Sequence, residues 1–415
     1  MTARSSDERA GSAADSPFQV MFALLFPVAV PRNFPGFPGP IDGIDPLPAP
    51  VARARIDQLH EVQAALLGRE YLESRRITRW PLGRVRLPED AGGTGPGCAD
   101  VFLVTHTAGA ALWEAWMALP DQRLDAARLV SWLRPDHETG PAAVLRERIA
   151  EVTRRVLSAS GPDESFSFTI LRQPGDGGSV DAVVAEQAED LVRVLYLDRS
   201  RLTLKRRVVD EELARDFCLR EGGISLLSVR GALDLRVGEG LGADPTSATV
   251  LAPRSALPLL VSIELLLIER AVLHMFHRQL EGDAVPRSLS RLVELKAEVL
   301  DGLAEYRGTV AESNRFSADV TSYGETVLGL DVLYATLTER LDALTFEITT
   351  RYQQSTNVLQ FALTVVLGSF QAASVAAVIA AVAYRQQPVL VLAWAAGTAL
   401  AAAGAITALL RHRLR

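Results

Sequence analysis

The chain has 415 residues, 48% of them hydrophobic and 22% charged, with two cysteines and a formal net charge of -7. That composition excludes disordered, collagen-like and disulfide-stapled proteins, and the length allows two or three domains. The mean hydropathy of +0.14 is an average over two unlike parts. From Tyr352 to Leu410 the one charged residue is Arg385, and Arg411, Arg413 and Arg415 follow it. Removing those four arginines from the 43 basic residues leaves 39 against 50 acidic ones, so residues 1–351 carry a charge of -11. No nucleic-acid partner is expected of so acidic a body.

The predicted elements begin with Phe18 to Val30. Asp7, Glu8 and Asp15 precede this apolar run, Pro27 interrupts it, and no small-residue cleavage site follows, so it reads as a buried first strand and not as a signal peptide. A Pro/Gly-rich loop spans Pro31 to Pro50, a helical pattern Val51 to Gly68, and a second loop Gly92 to Gly97. Strand-like runs lie at Ala99 to Thr105, Ser165 to Leu171, Leu191 to Leu197 and Ile224 to Val229. Helical patterns lie near Ala108 to Met117, Pro141 to Leu157, Asp181 to Asp190 and Asp210 to Phe217. This alternation predicts an α/β or α+β domain over residues 1–256. Cys98 and Cys218 are too few for a disulfide framework, which fits a reducing compartment.

From Leu257 the pattern changes to long helices. Leu259 to Leu280 is strongly apolar, but Glu264, Glu269 and Arg270 interrupt it, so it reads as a buried or bundle helix and not as a membrane span. Pro286 opens the next helix, with Leu289, Leu292, Leu295, Val299, Leu303 and Tyr306 at three-and-four spacing. After a break at Ser313 to Tyr323, a stripe of Leu330, Leu333, Leu337, Leu341, Leu344 and Ile348 follows. No proline lies between Gly324 and Tyr384, which permits one helix of about 60 residues, roughly 90 Å long, within a helical stalk region assigned to 257–357.

Val358 to Tyr384 is 27 residues without a charge, and Val389 to Leu410 is another 22. About 20 helical residues cross a hydrocarbon core, so these read as two membrane spans joined by the turn Arg385, Gln386, Gln387, Pro388. The alternative is a buried helical hairpin in a soluble protein. Arg340 and Arg351 before the first span and three arginines after the second, against Arg385 alone in the turn, place both ends in the cytoplasm of a multi-pass cell-membrane protein, 411–415 being a basic cytoplasmic tail.

No catalytic constellation is readable, and no enzyme is expected. Gly92, Gly93, Thr94, Gly95, Pro96, Gly97 lacks the Gly-Lys-Ser/Thr ending of a phosphate cradle. His274 and His277 share a helix face but have no third ligand at readable spacing. The acidic group Asp210, Glu211, Glu212, Asp216 fits either a divalent cation or a solvated helix start. No cofactor is expected beyond such a cation, for instance magnesium.

The first span carries a patterned set of polar residues. Asn357, Thr364 and Gln371 are seven apart, and Gln360 and Ser374 fall three beyond the first and last of them. On a helix the five share one broad face, opposite the stalk leucines. Such residues either line a water-filled path or bind helices together by hydrogen bonds, and the bulk of Asn357 and Gln371 favours the path. In the second span, Ala393, Gly397, Ala401 and Ala405 form a small-residue face suited to close packing as an outer support helix.

An α/β domain, a long helix running into a first span, a short turn and a second span with a basic tail together resemble the CorA-type magnesium channels and transporters. Asn357-Val-Leu-Gln-Phe-Ala-Leu-Thr364 is similar to that family's Asn-x-x-x-x-x-Leu-Thr entry to its pore helix, and Tyr384 and Pro388 fall on its aromatic and its loop proline. The architectural likeness covers the whole chain and the residue likeness about Asn357 to Pro388. The chain departs where the family has Gly-Met-Asn, its ion-selecting ring: here stand Ala381, Val382 and Ala383. Val389 replaces the acid after the loop proline, and Gln360 and Gln371 stand where the family has apolar gate residues. The resemblance implies a homopentamer in a lipid bilayer whose first spans line the axis and whose acidic domains form a funnel. It implies magnesium selectivity less strongly.

Overall fold

The computed structural model describes residues 18–30, 34, 36, 41–67, 77–88, 96–122, 124–136, 140–157, 161–162, 164–174, 179–200, 202–241, 252–281, 288–307 and 315–383, then 389, 393, 394, 396, 397, 400, 401 and 404, with backbone alone at 120–122, 289, 298, 301–307, 372, 380 and 383. It divides into two compact units, one of Met1–Ala284 with Glu298–Leu337 and one of Val285–Ala297 with Thr338–Arg415.

The first unit is built on one mixed sheet. Its strands are β1 (Phe18–Ala29), β2 (Ile77–Arg86), β3 (Cys98–His106), β4 (Ala110–Gln122), β5 (Phe166–Gln173), β6 (Gly223–Leu227) and β7 (Gly231–Val237), in the order β2-β3-β4-β1-β5-β7-β6. All neighbours are antiparallel except β5 and β7. The helices are α1 (Ala49–Leu67), α2 (Ala126–Leu133), α3 (Pro141–Val152, extended by a π turn at Thr153–Leu157), α4 (Val180–Tyr196), α5 (Arg206–Leu213), α6 (Leu257–Gln279), α7 (Leu289–Arg307), α8 (Arg315–Val327) and α9 (Leu330–Ala383). The chain is therefore mixed α/β, with a long apolar helix toward its C-terminus.

β1 lies at the centre, as the apolar run from Phe18 predicts, between β4 and β5. Its alternate residues Phe18, Val20, Phe22, Leu24 and Phe26 enter a core with Trp113 of β4, Leu129 and Leu133 of α2, Leu145 and Ile149 of α3, and Leu191 and Leu195 of α4. Each such fully buried side chain contributes about 1.5–3 kcal/mol. The other sheet face packs against α6, which also touches α1, whose Arg55 lies over the Phe102 and Trp116 rings of the sheet. Helix α6, read from sequence as the opening of the stalk region, is thus a layer of the sheet domain.

Three sequence expectations are corrected. Ala108 to Met117 is no helix: a turn at Thr107–Gly109, with Gly109 at φ 92°, leads into β4, because pairing with both β1 and β3 overrides the helix preference of its Ala, Leu and Met residues. Leu191 to Leu197 is no strand but the last turns of α4, which Ser179 caps by accepting from the Ala182 N–H at 3.1 Å. Ser313 to Tyr323 is not simply a break, since α8 starts at Arg315. Gly324 lets α8 approach α6, where any added Cβ would collide with Leu266. β2, β7 and α2 have no counterpart in the sequence reading.

The α6-facing side of the sheet buries charges. Arg79 of β2 is bound to Glu114 of β4 at 2.7 Å and bidentately to Glu264 of α6, all three side chains about 1% exposed. Trp116 Nε1 donates to the second Glu114 oxygen at 3.2 Å, and the Arg55 guanidinium lies 4.3 Å from the Trp116 ring. Burial pulls the Arg55 pKa down to about 10 against the opposing pull of Asp100 and Glu114. On β5 and β7, Arg172 donates to Asp234 at 2.7 Å and to Ser255 at 3.1 Å, while Ser225 and Arg236 also bind Asp234.

One cation serving two carboxylates has a titration consequence. Burial raises the Glu264 pKa most, Arg79 lowers it, and Glu114 raises it again, leaving it at about 8 from an ordinary 4.5. A pKa raised by folding means that its contribution to stability is full below about pH 4.5 and is lost as the pH climbs through about 8. Unfolding at a series of pH values should show the native chain losing stability across that window relative to Glu264→Gln, with a slope approaching about 1.4 kcal/mol per pH unit. Parallel pH profiles for the two proteins would contradict this.

Candidate functional site

Helix α9 begins where α8 is stopped. Leu328 N–H donates to the Gly324 carbonyl at 2.8 Å and Gly329 N–H to that of Thr326 at 3.2 Å, with Gly329 at φ 70°, a conformation that glycine adopts freely. Asp331 then stands in the first turn of α9, where the helix dipole favours an acid. The helix continues for 54 residues, not the roughly 60 that the lack of proline permits, because Gly329 separates it from α8.

Along its first five turns α9 is one-sided. Leu330, Leu337, Leu341 and Leu344 are buried, and Leu333 and Ile348 half-buried. From Tyr352 onward no described side chain is buried. This part of the helix contains a window long and apolar enough to cross a membrane, and no residue of that window is buried. A helical hairpin inside a soluble core would be covered. Of the second apolar run, residues 389, 393, 394, 396, 397, 400, 401 and 404 are helical, and those of known exposure are open to the outside. The turn 384–388, the rest of 389–410 and the tail 411–415 lie outside the described residues.

The five polar positions of the first span are all exposed on α9. At 3.6 residues per turn they occupy an arc of about 100°, with the buried leucines centred on the opposite side. Thr364 Oγ1 donates to the Gln360 carbonyl and Ser374 Oγ to that of Phe370, both at 2.8 Å, so these hydroxyl protons are satisfied within the helix. The side-chain amides of Asn357, Gln360 and Gln371 have no hydrogen-bond partner among the described residues. An amide left so in hydrocarbon costs several kcal/mol, so these three need water, ions or another helix. Ala381 and Val382 are exposed near the end of α9, and Ala383 ends it.

The acidic group is not gathered into a ligand set. Asp210 pairs with Arg206 at 3.8 Å, Glu211 with Arg207 at 2.7 Å and Glu212 with Arg215 at 2.8 Å, all on or beside α5. Asp216, beyond the end of α5, accepts the backbone N–H groups of Cys218 at 2.8 Å and Ser225 at 2.7 Å, and partial burial of its carboxyl raises its pKa. His277 faces Glu281 at 3.3 Å, and burial lowers the pKa of His274. Among the described residues no three His, Cys, Asp or Glu side chains converge on a point that could hold a metal ion. Gly92 to Gly95 lie outside the described residues. The buried ionic clusters were missed in the sequence, although single charges within apolar runs, at Glu114, Arg172 and Glu264, were their signal. No family model, no curated protein and no solved structure matches this chain, so the character of the site rests on its own residues.

Proposed function

We propose that this chain is a CorA-like integral membrane protein that assembles with further copies of itself and conducts ions along an axis lined by α9. The observation that carries the reading is the junction at Tyr352, where a helix with one buried side becomes a helix on which no described side chain is buried, apolar except for one polar arc. Lipid can cover the apolar faces but cannot satisfy Asn357, Gln360 and Gln371. Several copies around an axis convert each position into a ring of neutral oxygen and amide groups, which compensates partial desolvation of an ion. The second apolar run, 389–410, then packs outside the first, with both ends of the chain cytoplasmic. The acidic body, -11 per copy, concentrates cations near the inner mouth.

Purified protein in liposomes is expected to pass magnesium, nickel or sodium, and absence of flux of these and of chloride under every condition would refute conduction. A second reading keeps the anchor and drops the path: a membrane-held sensor or effector, favoured by Ala381, Val382 and Ala383 in place of a selectivity signature and by the self-satisfied hydroxyls of Thr364 and Ser374. Gln371→Leu separates the two. Single-channel recording should show a conductance changed by at least about two-fold in a conducting protein, since a ring of amides becomes apolar. Unchanged conductance would remove Gln371 from the lining.

A further inference from the structure

Phe346 is 75% exposed although it lies on α9 between Leu344, which is buried, and the half-buried Ile348. It stands eighteen residues before Thr364, five whole turns at 3.6 residues each, and so points in the same direction as the centre of the polar arc. Asp342 and Glu339 precede it on that side, one and two turns earlier, both exposed and neither in an ion pair among the described residues. Gln353 bridges the interval to Asn357. Read along this one side, α9 presents two acids, a single aromatic ring, and then amides and hydroxyls.

Lipid is a poor cover for Phe346, because Asp342, Glu347 and Arg351 hold this stretch in water, and Glu347 and Arg351 pair with each other. We infer that further copies of this chain cover it: where α9 helices surround an axis, Phe346 forms a ring that closes the inner end of the path. This rests on the conduction reading above and adds the place of closure. A ring of phenyl groups narrows the path and offers no oxygen to an ion leaving its hydration shell, so water withdraws and passage stops; spreading the helices rewets it. Asp342 and Glu339 lie on the cytoplasmic side of that ring, where they gather cations before it and select against anions.

Phe346 is exposed within one copy, so its replacement should leave the fold intact. In liposomes of equal protein content, Phe346→Ala and Phe346→Ser are expected to raise resting cation flux by about ten-fold or more, whereas Leu367→Ala, the next large apolar residue on the same side, should change it little. If the native protein conducts and Phe346→Ala matches it, or if Leu367→Ala is the variant that opens the path, closure at Phe346 is overturned and conduction stands. If the native protein and all variants fail to conduct, both readings fall. A second measurement is independent of flux. With Cys98 and Cys218 replaced by serine, Phe346→Cys should give covalent dimers in membranes with a short bismaleimide, while Glu347→Cys, turned from the axis, should give few. Equal cross-linking at the two positions, or none at Phe346→Cys, would overturn the axial placement.

Discussion

Replacing Arg79 by methionine should lower the stability of the sheet domain by about 3–5 kcal/mol, because it leaves the buried acids Glu114 and Glu264 without their cation. Arg79 is the shared partner of Glu114 and Glu264, whose side chains are each 1% exposed. It joins an edge strand, an inner strand and helix α6. The loss reflects stranded charge and not the worth of the ion pairs as such, so it should be repairable. Adding Glu114→Gln, which keeps an acceptor for Trp116 Nε1, and Glu264→Leu should recover most of it, since apolar substitutes for buried ion clusters are often neutral or better. The control is Arg86→Met, which removes an exposed pair with Asp45 at 3.3 Å and should cost less than about 1 kcal/mol. Denaturant unfolding monitored by tryptophan fluorescence measures all three. A loss below about 1 kcal/mol for Arg79→Met would show that the cluster is hydrated in solution.

The second large effect concerns partition. A chain ended at Arg351 is expected in the soluble fraction after high-speed centrifugation, and the full chain in the membrane pellet, resistant to alkaline carbonate and released by detergent. Val358 to Tyr384 contains twelve Leu, Ile, Phe and Val residues, which on an insertion scale favour the bilayer by about 4–7 kcal/mol in all. No residue of the apolar window is buried, so removing it uncovers no core of the sheet domain. Full-length protein extracted by carbonate, or a shortened chain that still pellets with membranes, would refute an anchoring role for α9.

How far the sequence led depends on the range of the interactions concerned. The leucine stripe of α9 and the arc from Asn357 to Ser374 were legible because a helix fixes directions through local geometry alone, and β1 because an apolar run of its length needs cover on both faces. Ala110 to Met117 was misread since Ala, Leu and Met say helix locally, and the pairing that makes it a strand comes from β1, some ninety residues earlier in the chain. Leu191 to Leu197 was misread the other way, its apolar density hiding the three-and-four spacing of Leu191, Val194 and Leu195. The clusters at Arg79 and Arg172 were not legible at all: their bonds join residues separated by 35, 185 and 62 positions. For the acidic group at α5 the sequence showed charge but not the arginines that occupy it.

The position of α6 also sets an order of events during synthesis. The sheet is complete at Val237 and its second helical layer at Gln279, whereas Tyr352 comes 73 residues later. At about 5–20 residues per second the ribosome takes roughly 4–15 s to make that interval. The long-range pairing of β1 with β4 and β5, the slow part of assembly by its loop closures, can therefore finish before the apolar part of α9 is made. On the membrane reading proposed above, the apolar part of α9 meets the bilayer only after the sheet domain has had time to fold.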